Sequence, residues 1–351
     1  MTKDILQMVR EEEEQANRNR RRACIICPGA IGDCLLTLPL ASLVRSAFDL
    51  GGIDFIGRTE YIDFYPGRTC IDTIKSLESI DFHRLFEDHR VFTVEDHDRL
   101  IGSFAAYEHI ISFMGAGDVN FETNFIFTLN CSHPAEVTLL PLASSGESDG
   151  HVSEFYIRAY LQENQVPSTP PVFDAAACSL RAHAGDAQEG RRFLEALEIN
   201  PDDHLAVIHP GSGGRAKCWH VDNFRQVARR LVCDGIQVLF LYGPVEMERM
   251  PSSVRQRLSD IAPCLSGGDL AKVLQVLTWA DVYLGNDSGI SHLAASLGKS
   301  TLAIFGPTDP RRYRPLGPRV TVLTPPAASF MQATRDDADC VYDAILRALG
   351  N

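Results

Sequence analysis

The sequence predicts an α/β protein of two lobes, each built on a parallel sheet, with the two sheets facing a central cleft. Three observations lead there. The chain has 351 residues, and domains usually run to ~100–200 residues, so two domains of similar size are the natural expectation. Short apolar runs alternate with stretches of helical periodicity, the pattern of strands covered by helices on both faces. A proline-rich segment, Val-Pro-Ser-Thr-Pro-Pro-Val at 166–172, reads as an extended linker between halves.

In the first half, Ala23–Cys27 is a short apolar strand. Pro-Gly-Ala-Ile-Gly-Asp follows, and then Cys34–Phe48 as a helix, where Leu35, Leu38, Leu43 and Phe48 share helical spacings and Pro39 sits early enough to be tolerated. Strands are expected at Ile53–Ile56, His109–Phe113 and Val137–Leu140, with helices at Asp96–Phe104 and His151–Gln165. Residues 68–90 follow neither period.

The second half is clearer. Helix Ala187–Leu197 precedes strand Leu205–His209, a glycine-rich loop, helix Val221–Val232 and strand Ile236–Leu241. A helical stretch to Ser259 follows, then helix Asp269–Leu277, strand Asp281–Leu284, helix Ser288–Leu297 and strand Thr301–Phe305. The expected division is a charged leader at 1–22, a first lobe at 23–166, a second lobe at 167–334, and a closing helix within 335–351 that can pack back on the first lobe.

Hydrophobic residues make up 45% and charged residues 23%, ordinary for a globular protein with real cores. The net charge of −13 argues against a phosphate-backbone binder, so nucleic acid is not an expected partner. No stretch approaches the ~20 apolar residues that span a bilayer. The leader carries Glu11–Glu14 and then Arg18 and Arg20–Arg22 without an apolar core, unlike a signal peptide. A cytoplasmic protein is expected. The basic run can touch an anionic membrane from the inner face, although a solvated helix end is the simpler account. Ten cysteines show no framework spacing. Cys24 and Cys27 form a lone CxxC inside a strand, at an odd offset that sends them to opposite faces. Reduced structural thiols are expected, and no metal site.

Three segments carry chemistry. In Pro28-Gly29-Ala30-Ile31-Gly32-Asp33, glycines let the chain turn tightly after a strand, and an acid stands where the helix begins. Taken alone, Asp33 is better explained by first-turn capping, while its position at a strand's carboxyl edge keeps a catalytic carboxylate open. The spacing is GxxG, not GxGxxG, which disfavours a dinucleotide-dependent dehydrogenase.

The second segment runs from His209 to Trp219 and contains Gly211, Ser212, Gly213, Gly214, Arg215 and Lys217. Free amides with local cations suit a diphosphate, and Lys217 is the natural point charge. Trp219 reads as packing.

The third segment, Asn286-Asp287-Ser288-Gly289-Ile290-Ser291-His292, places Asp287 and Ser288 at a helix start and His292 a turn later. Capping explains Asp287 alone but not the whole string. Glu246, after Tyr242-Gly243-Pro244, suits a ribose diol or a surface cap. Gly306-Pro307-Thr308-Asp309-Pro310 follows the last clear strand and can line the same edge, although turn chemistry alone would produce it.

Taken in order, these strings resemble glycosyltransferase family 9. The matching text is Ile31-Gly32-Asp33 with Thr37-Leu38-Pro39, His209-Pro210-Gly211-Ser212 with Lys217-x-Trp219, Asn286–Ala295, and Phe305–Pro310. The resemblance implies the GT-B fold of two Rossmann-like lobes, acceptor on the first and sugar nucleotide on the second. It implies an inverting transferase, a heptosyltransferase using ADP-heptose and a lipopolysaccharide-core or lipid-linked glycan acceptor. By similarity Asp33 is the general base, with Gly29 and Gly32 in the acceptor-side loop. Ser212, Gly213, Lys217, Ser288 and Gly289 hold the diphosphate, and Glu246, Asp287 and His292 hold the rest of the donor. No cofactor is required beyond the nucleotide sugar, and no metal. The alternatives are a GT-B-type sugar-nucleotide epimerase or hydrolase, and a non-catalytic nucleotide-sugar binder.

Overall fold

The computed structural model describes residues 21–48, 50–132, 134–143, 150–164 and 179–350. The leader through Arg20 and the proline-rich segment 166–172 lie outside the described residues. Contacts divide the chain into two units, Met1–Ser148 with Val152–Ala177, and Asp149–His151 with Cys178–Asn351.

The first unit runs β1 (Arg22–Ile26), α1 (Ile31–Leu36), α2 (Leu38–Ala47), β2 (Gly52–Gly57), α3 (Thr59–Ile62) and β3 (Thr73–Ser76). It continues with α4 (Arg99–Phe104), β4 (Tyr107–Ser112), α5 (Val119–Asn130), β5 (Glu136–Leu139) and α6 (Val152–Glu163). The sheet has the order β3-β2-β1-β4-β5, and every pair is parallel. Cys24, Ile26 and Ile56 enter a core with Phe104, Phe121 and Phe125 of α4 and α5. By strand alternation Ala23 and Ile25 point to the other face, where α2 packs on β1 and β2 and α6 packs on α2.

Two expectations change here. The single helix Cys34–Phe48 is two helices, parted at Thr37, whose hydroxyl donates to the Cys34 carbonyl at 2.8 Å. Pro39 causes the break: it has no N–H to give, and its ring would meet the carbonyl of Leu35 in a continuous helix. Residues 68–90 hold the half-exposed edge strand β3 and two 3₁₀ turns, Leu77–Ser79 and Phe82–Phe86, which have no long period to read.

The basic run is also shorter as leader than expected. Arg22 lies in β1 and pairs with buried Asp54 of β2, while Arg21 pairs with Glu108 at 2.8 Å.

The second unit runs α7 (Ala184–Ala196), β6 (Leu205–His209), α8 (Val221–Cys233), β7 (Gln237–Tyr242), α9 (Pro244–Arg249), α10 (Ser252–Ser259), β8 (Cys264–Ser266) and α11 (Leu270–Leu277). Then come β9 (Val282–Asn286), α12 (Gly289–Ser296), β10 (Ser300–Ile304), α13 (Pro310–Tyr313), β11 (Val320–Leu323) and α14 (Arg335–Leu349). The order β11-β10-β9-β6-β7-β8 is again wholly parallel. Strands β6, β9 and β10 are buried at every residue, as expected of a sheet covered on both faces.

On α8, Phe224, Val227, Ala228 and Leu231 form one helical stripe, and on α14 Ala338, Val341, Tyr342 and Ile345 form another. The two stripes share one core. Where the sequence allows the closing helix to return to the first lobe, the structure spends its apolar stripe on the second unit. Among the described residues no helix is long and apolar enough to cross a membrane.

Both sheets follow the doubly wound plan, in which the chain leaves the central strand first to one side and then to the other. That reversal opens a crevice at the carboxyl edge, between β1 and β4 in the first unit and between β6 and β9 in the second.

At the opposite edge of the first sheet Asp54 accepts from Arg22 and from the Tyr107 hydroxyl, the latter at 2.7 Å. Burial alone would raise its pKa, but hydrogen bonds from Thr73, Arg22 and Tyr107, and the guanidinium charge, hold it below the usual carboxylate range. The folded pKa is therefore depressed, so this contribution is complete above the unfolded value of about 3.9 and is lost as pH falls through the folded one. Asp54→Ala should cost about 2 kcal/mol in urea denaturation near neutral pH, because it takes an acceptor from the buried Tyr107 hydroxyl and from the partly exposed Arg22 guanidinium. The gap from the parent should close in acid. A gap that stays constant across that range would exclude the charge as its source.

Candidate functional site

At the switch point of the second sheet, two loops are sewn together by one buried amide. Asn286 ends β9, and its Nδ2 donates to the carbonyls of Pro210 at 2.9 Å and Gly211 at 3.2 Å. Its Oδ1 accepts the Trp219 N–H at 2.9 Å. The Ser212 hydroxyl adds a bond to the Asp287 carbonyl at 2.7 Å. The glycine-rich loop is thus fixed at its start and at its end, with Gly213 exposed between them. Trp219 is core, edge-on to Phe224 at 5.1 Å between ring centroids.

Lys217 stands in a single 3₁₀ turn, Arg215–Lys217, and reaches across to Asp287 with Nζ 2.8 Å from Oδ2. The Asp287 side chain is only 6% exposed, against 40% for Lys217, so a buried carboxylate anchors a cation whose stem is open to solvent.

Glu246 does cap its helix, but as a buried group rather than a surface one. It sits in the first turn of α9 and accepts the Gly243 N–H at 2.8 Å. An added Cβ at Gly211 would lie 1.8 Å from its Oε1, so this carboxylate needs a glycine beside it. Burial would raise the Glu246 pKa, but the hydrogen bond and charge of His209, with the Gly243 amide, pull it below the usual range. His209, the last residue of β6, stands between Glu246 and Ser288, its Nε2 3.4 Å from Oε2 and its Nδ1 3.4 Å from the Ser288 hydroxyl.

Ser288 is the N-cap of α12, yet its side chain makes no capping bond. The Ser291 N–H turns back to the Ser288 carbonyl at 3.1 Å, and the Gly289 and Ile290 amides of the first turn give no bond to the Ser288 side chain. One turn on, burial pushes the His292 pKa down to about 4, an effect that neighbouring Asp287 only partly offsets. The ring is neutral at physiological pH, and its Nδ1 has no hydrogen-bond partner among the described residues.

Beside these groups lies a depression of about 630 Å³ floored by Pro210, Gly211, Val245, Met250 and Met331, with Glu246 in its wall. Ligand pockets commonly measure ~300–1,000 Å³. Asp287 touches both Ser212 and Lys217, His209 links Glu246 to Ser288, and Ser212 and Glu246 also line the depression, with Gly213 and Gly289 as chain neighbours of these groups. His209 and Asn286 are the additions. Both stand inside the strings read from the sequence, but their partners lie far away along the chain.

In the first unit, the turn after β1 delivers Asp33 to the first turn of α1, where its Oδ2 accepts the Ala30 N–H at 2.9 Å. The capping account is therefore correct locally, and it uses one oxygen of a partly exposed carboxylate. An added Cβ at Gly29 would come within 2.5 Å of the Asp33 Cβ, so the acid folds back only over a glycine. Gly32 lies beside it in the same turn, partly exposed. Behind them Cys27 and Cys34 are buried with sulfurs 3.8 Å apart. Among the described residues no group of three or more His, Cys, Asp or Glu could hold a metal ion.

Known proteins resemble this chain in sequence and in fold. A lipooligosaccharide heptosyltransferase 2 of Haemophilus influenzae is 25% identical over 165 residues, covering 45% of this chain and 47% of that one. The chain thus spans about half the length of the curated relatives it matches. Among solved structures, a family 9 glycosyl transferase of Veillonella parvula superposes with a TM-score of 0.69 at 16% identity, covering 94% of this chain and 97% of that one. E. coli ADP-heptose lps heptosyltransferase II gives 0.64 at 19% identity, over 93% and 98%. At such identities the likeness shows the fold alone, which is GT-B. The model of the family described as glycosyltransferase family 9 (heptosyltransferase) matches residues 147–338, more than half of the 351. Those residues include both laced loops, Lys217, Glu246 and His292, and on that match the chain belongs to glycosyltransferase family 9.

Proposed function

We propose that the protein is an inverting glycosyltransferase that moves heptose from ADP-heptose to a hydroxyl of a lipopolysaccharide-core or related lipid-linked glycan. The observation that carries this reading is the set of anion-suited groups at the second switch point: the Lys217 ammonium, the loop at Ser212 and Gly213, and the uncapped start of α12 at Ser288 and Gly289. Family membership and the heptosyltransferase activity of the relatives support the choice of sugar and acceptor class.

In this reading the apolar depression takes the nucleobase and Glu246 the ribose diol. Lys217 exchanges part of its bond with Asp287 for a phosphate oxygen, and Asp287 and His292 meet the donor sugar. Asp33 takes the proton from the acceptor hydroxyl, whose oxygen attacks the anomeric carbon as the bond to the diphosphate breaks. Charge builds on the leaving diphosphate, so fixed dipoles and the lysine there lower the barrier most. The reaction assigns no step to a metal ion and takes place on the cytoplasmic side, where nucleotide sugar and membrane-anchored acceptor meet.

Asp33→Asn keeps an oxygen for the Ala30 amide but cannot accept a proton, so it separates capping from base catalysis. Turnover should fall by roughly 10²–10⁴-fold with ADP affinity unchanged. Retained turnover would remove Asp33 from the chemistry. Release of free sugar from donor alone, at the rate seen with acceptor present, would favour the hydrolase reading.

Lys217→Ala should weaken ADP binding at least about tenfold, as expected for a charge-assisted phosphate contact, and leave adenosine binding nearly unchanged. Equal losses for both ligands in calorimetry would place the lysine away from the phosphates.

A further inference from the structure

The depression beside Glu246 has a buried donor without a partner in its wall. Trp219 lines it with only 1% of its surface exposed. Its backbone N–H goes to Asn286 and its ring meets Phe224 edge-on, so backbone and side chain are both held in place. Its Nε1–H is sealed from bulk solvent, yet it has no acceptor among the described residues. Nearly every buried N–H in a folded protein is bonded, and one left over costs about as much as a lost hydrogen bond. The chain's other tryptophan shows the ordinary solution, with the Trp279 Nε1–H on the Ala187 carbonyl at 2.7 Å.

Around it, the polar side chains not given to ribose or phosphate are donors as well. The Cys218 thiol faces the Gly214 carbonyl at 3.6 Å, and Arg249 gives one N–H to the Gly213 carbonyl at 3.4 Å. The His220 Nδ1 accepts the Asp222 amide at 3.2 Å, which leaves the ring hydrogen on Nε2. Arg215, which can only donate, completes the set. A flat ring with bare acceptor atoms on its edge matches such a wall, and a ring that brings its own N–H does not. Adenine is a ring of the first kind, since its free ring nitrogens accept and carry no hydrogen.

We propose that the Trp219 Nε1–H donates to a ring nitrogen of the bound nucleobase, which makes this indole a specificity-determining residue as well as a packing one. The inference rests on the donor-site reading given above, which puts the base in this depression. Selectivity comes from the failed contact: a base that presents C–H or N–H at that point leaves the indole hydrogen unbonded, and a sealed site tolerates that poorly.

Calorimetry with ADP and its deaza analogues, in each of which a single ring nitrogen becomes C–H, removes the acceptors in turn. The parent protein should bind one analogue roughly three- to tenfold more weakly than ADP, the worth of one hydrogen bond. Trp219→Phe keeps a ring against Phe224 but has no N–H, so it should bind ADP more weakly by that factor and no longer tell the analogue from ADP. A second readout leaves Trp219 in place. With two tryptophans in the chain, nitrogen-labelled protein gives two indole N–H resonances, assigned by Trp279→Phe. ADP and adenosine should move that of Trp219 downfield, pyrophosphate should not, and Trp279 should stay. Equal affinity of the parent for ADP and every analogue overturns the inference alone, as does a distinction that survives in Trp219→Phe or a Trp219 resonance that ADP leaves unmoved. Failure of the parent to bind ADP overturns the donor-site reading together with it.

Discussion

The second unit depends on the side-chain amide of Asn286. A glycine-rich loop has little reason to hold one shape, since its backbone carries more freedom than any other and pays for it on ordering. Asn286 removes that freedom with three bonds to the loop's backbone, each from a fully buried atom group. The loop is then a rigid frame with its amides exposed, a preorganised arrangement for an anion, with no reorganisation left to do when the ligand arrives. A substitution to Asp would replace two donors by acceptors facing carbonyl oxygens, and the frame would open.

Charge is handled differently from what the acidic composition suggests. The chain carries −13 overall, yet each buried acid at the second crevice has a specific companion: Asp287 with Lys217, Glu246 with His209. Buried charges of one sign are costly, and pairing is the usual remedy. Here the companions are also the groups an anionic ligand would address. The first unit uses the same remedy with no bearing on a ligand, since Arg22, Asp54 and Tyr107 bind neighbouring strands at the edge away from the crevice.

Legibility in the sequence followed burial and chain distance. Strands β6, β9 and β10 are covered on both faces, so they stand out as apolar runs. The edge strands β3, β8 and β11 are three or four residues long and partly exposed, and no period marks them, although the fourth edge strand, β5, is as short and was expected at Val137–Leu140. Glycines, lysine and acids announced the loops because their chemistry is local. Asn286 was read only as the first residue of a string that opens a helix, and His209 as the end of a strand. Their meaning lies in partners dozens of positions away, such as Glu246, 37 residues from His209, and periodicity cannot see those. Asp33 was legible as both cap and candidate base, and its bond to Ala30 is compatible with either.

The route of the chain between the units bears on how the protein is made. Residues 149–151 belong to the second unit, but α6, which follows them, belongs to the first. There the Ser153 hydroxyl bonds the Leu36 carbonyl at 2.7 Å, closing the end of the short helix that carries Asp33. On the ribosome, the front half cannot complete itself when its fifth strand emerges; it must wait for a segment that arrives some dozen residues later. A cut placed before α6 therefore parts the front half from a helix it uses, and a nascent chain stalled there would lack the bond that Ser153 gives to the end of the helix on which the acid is mounted.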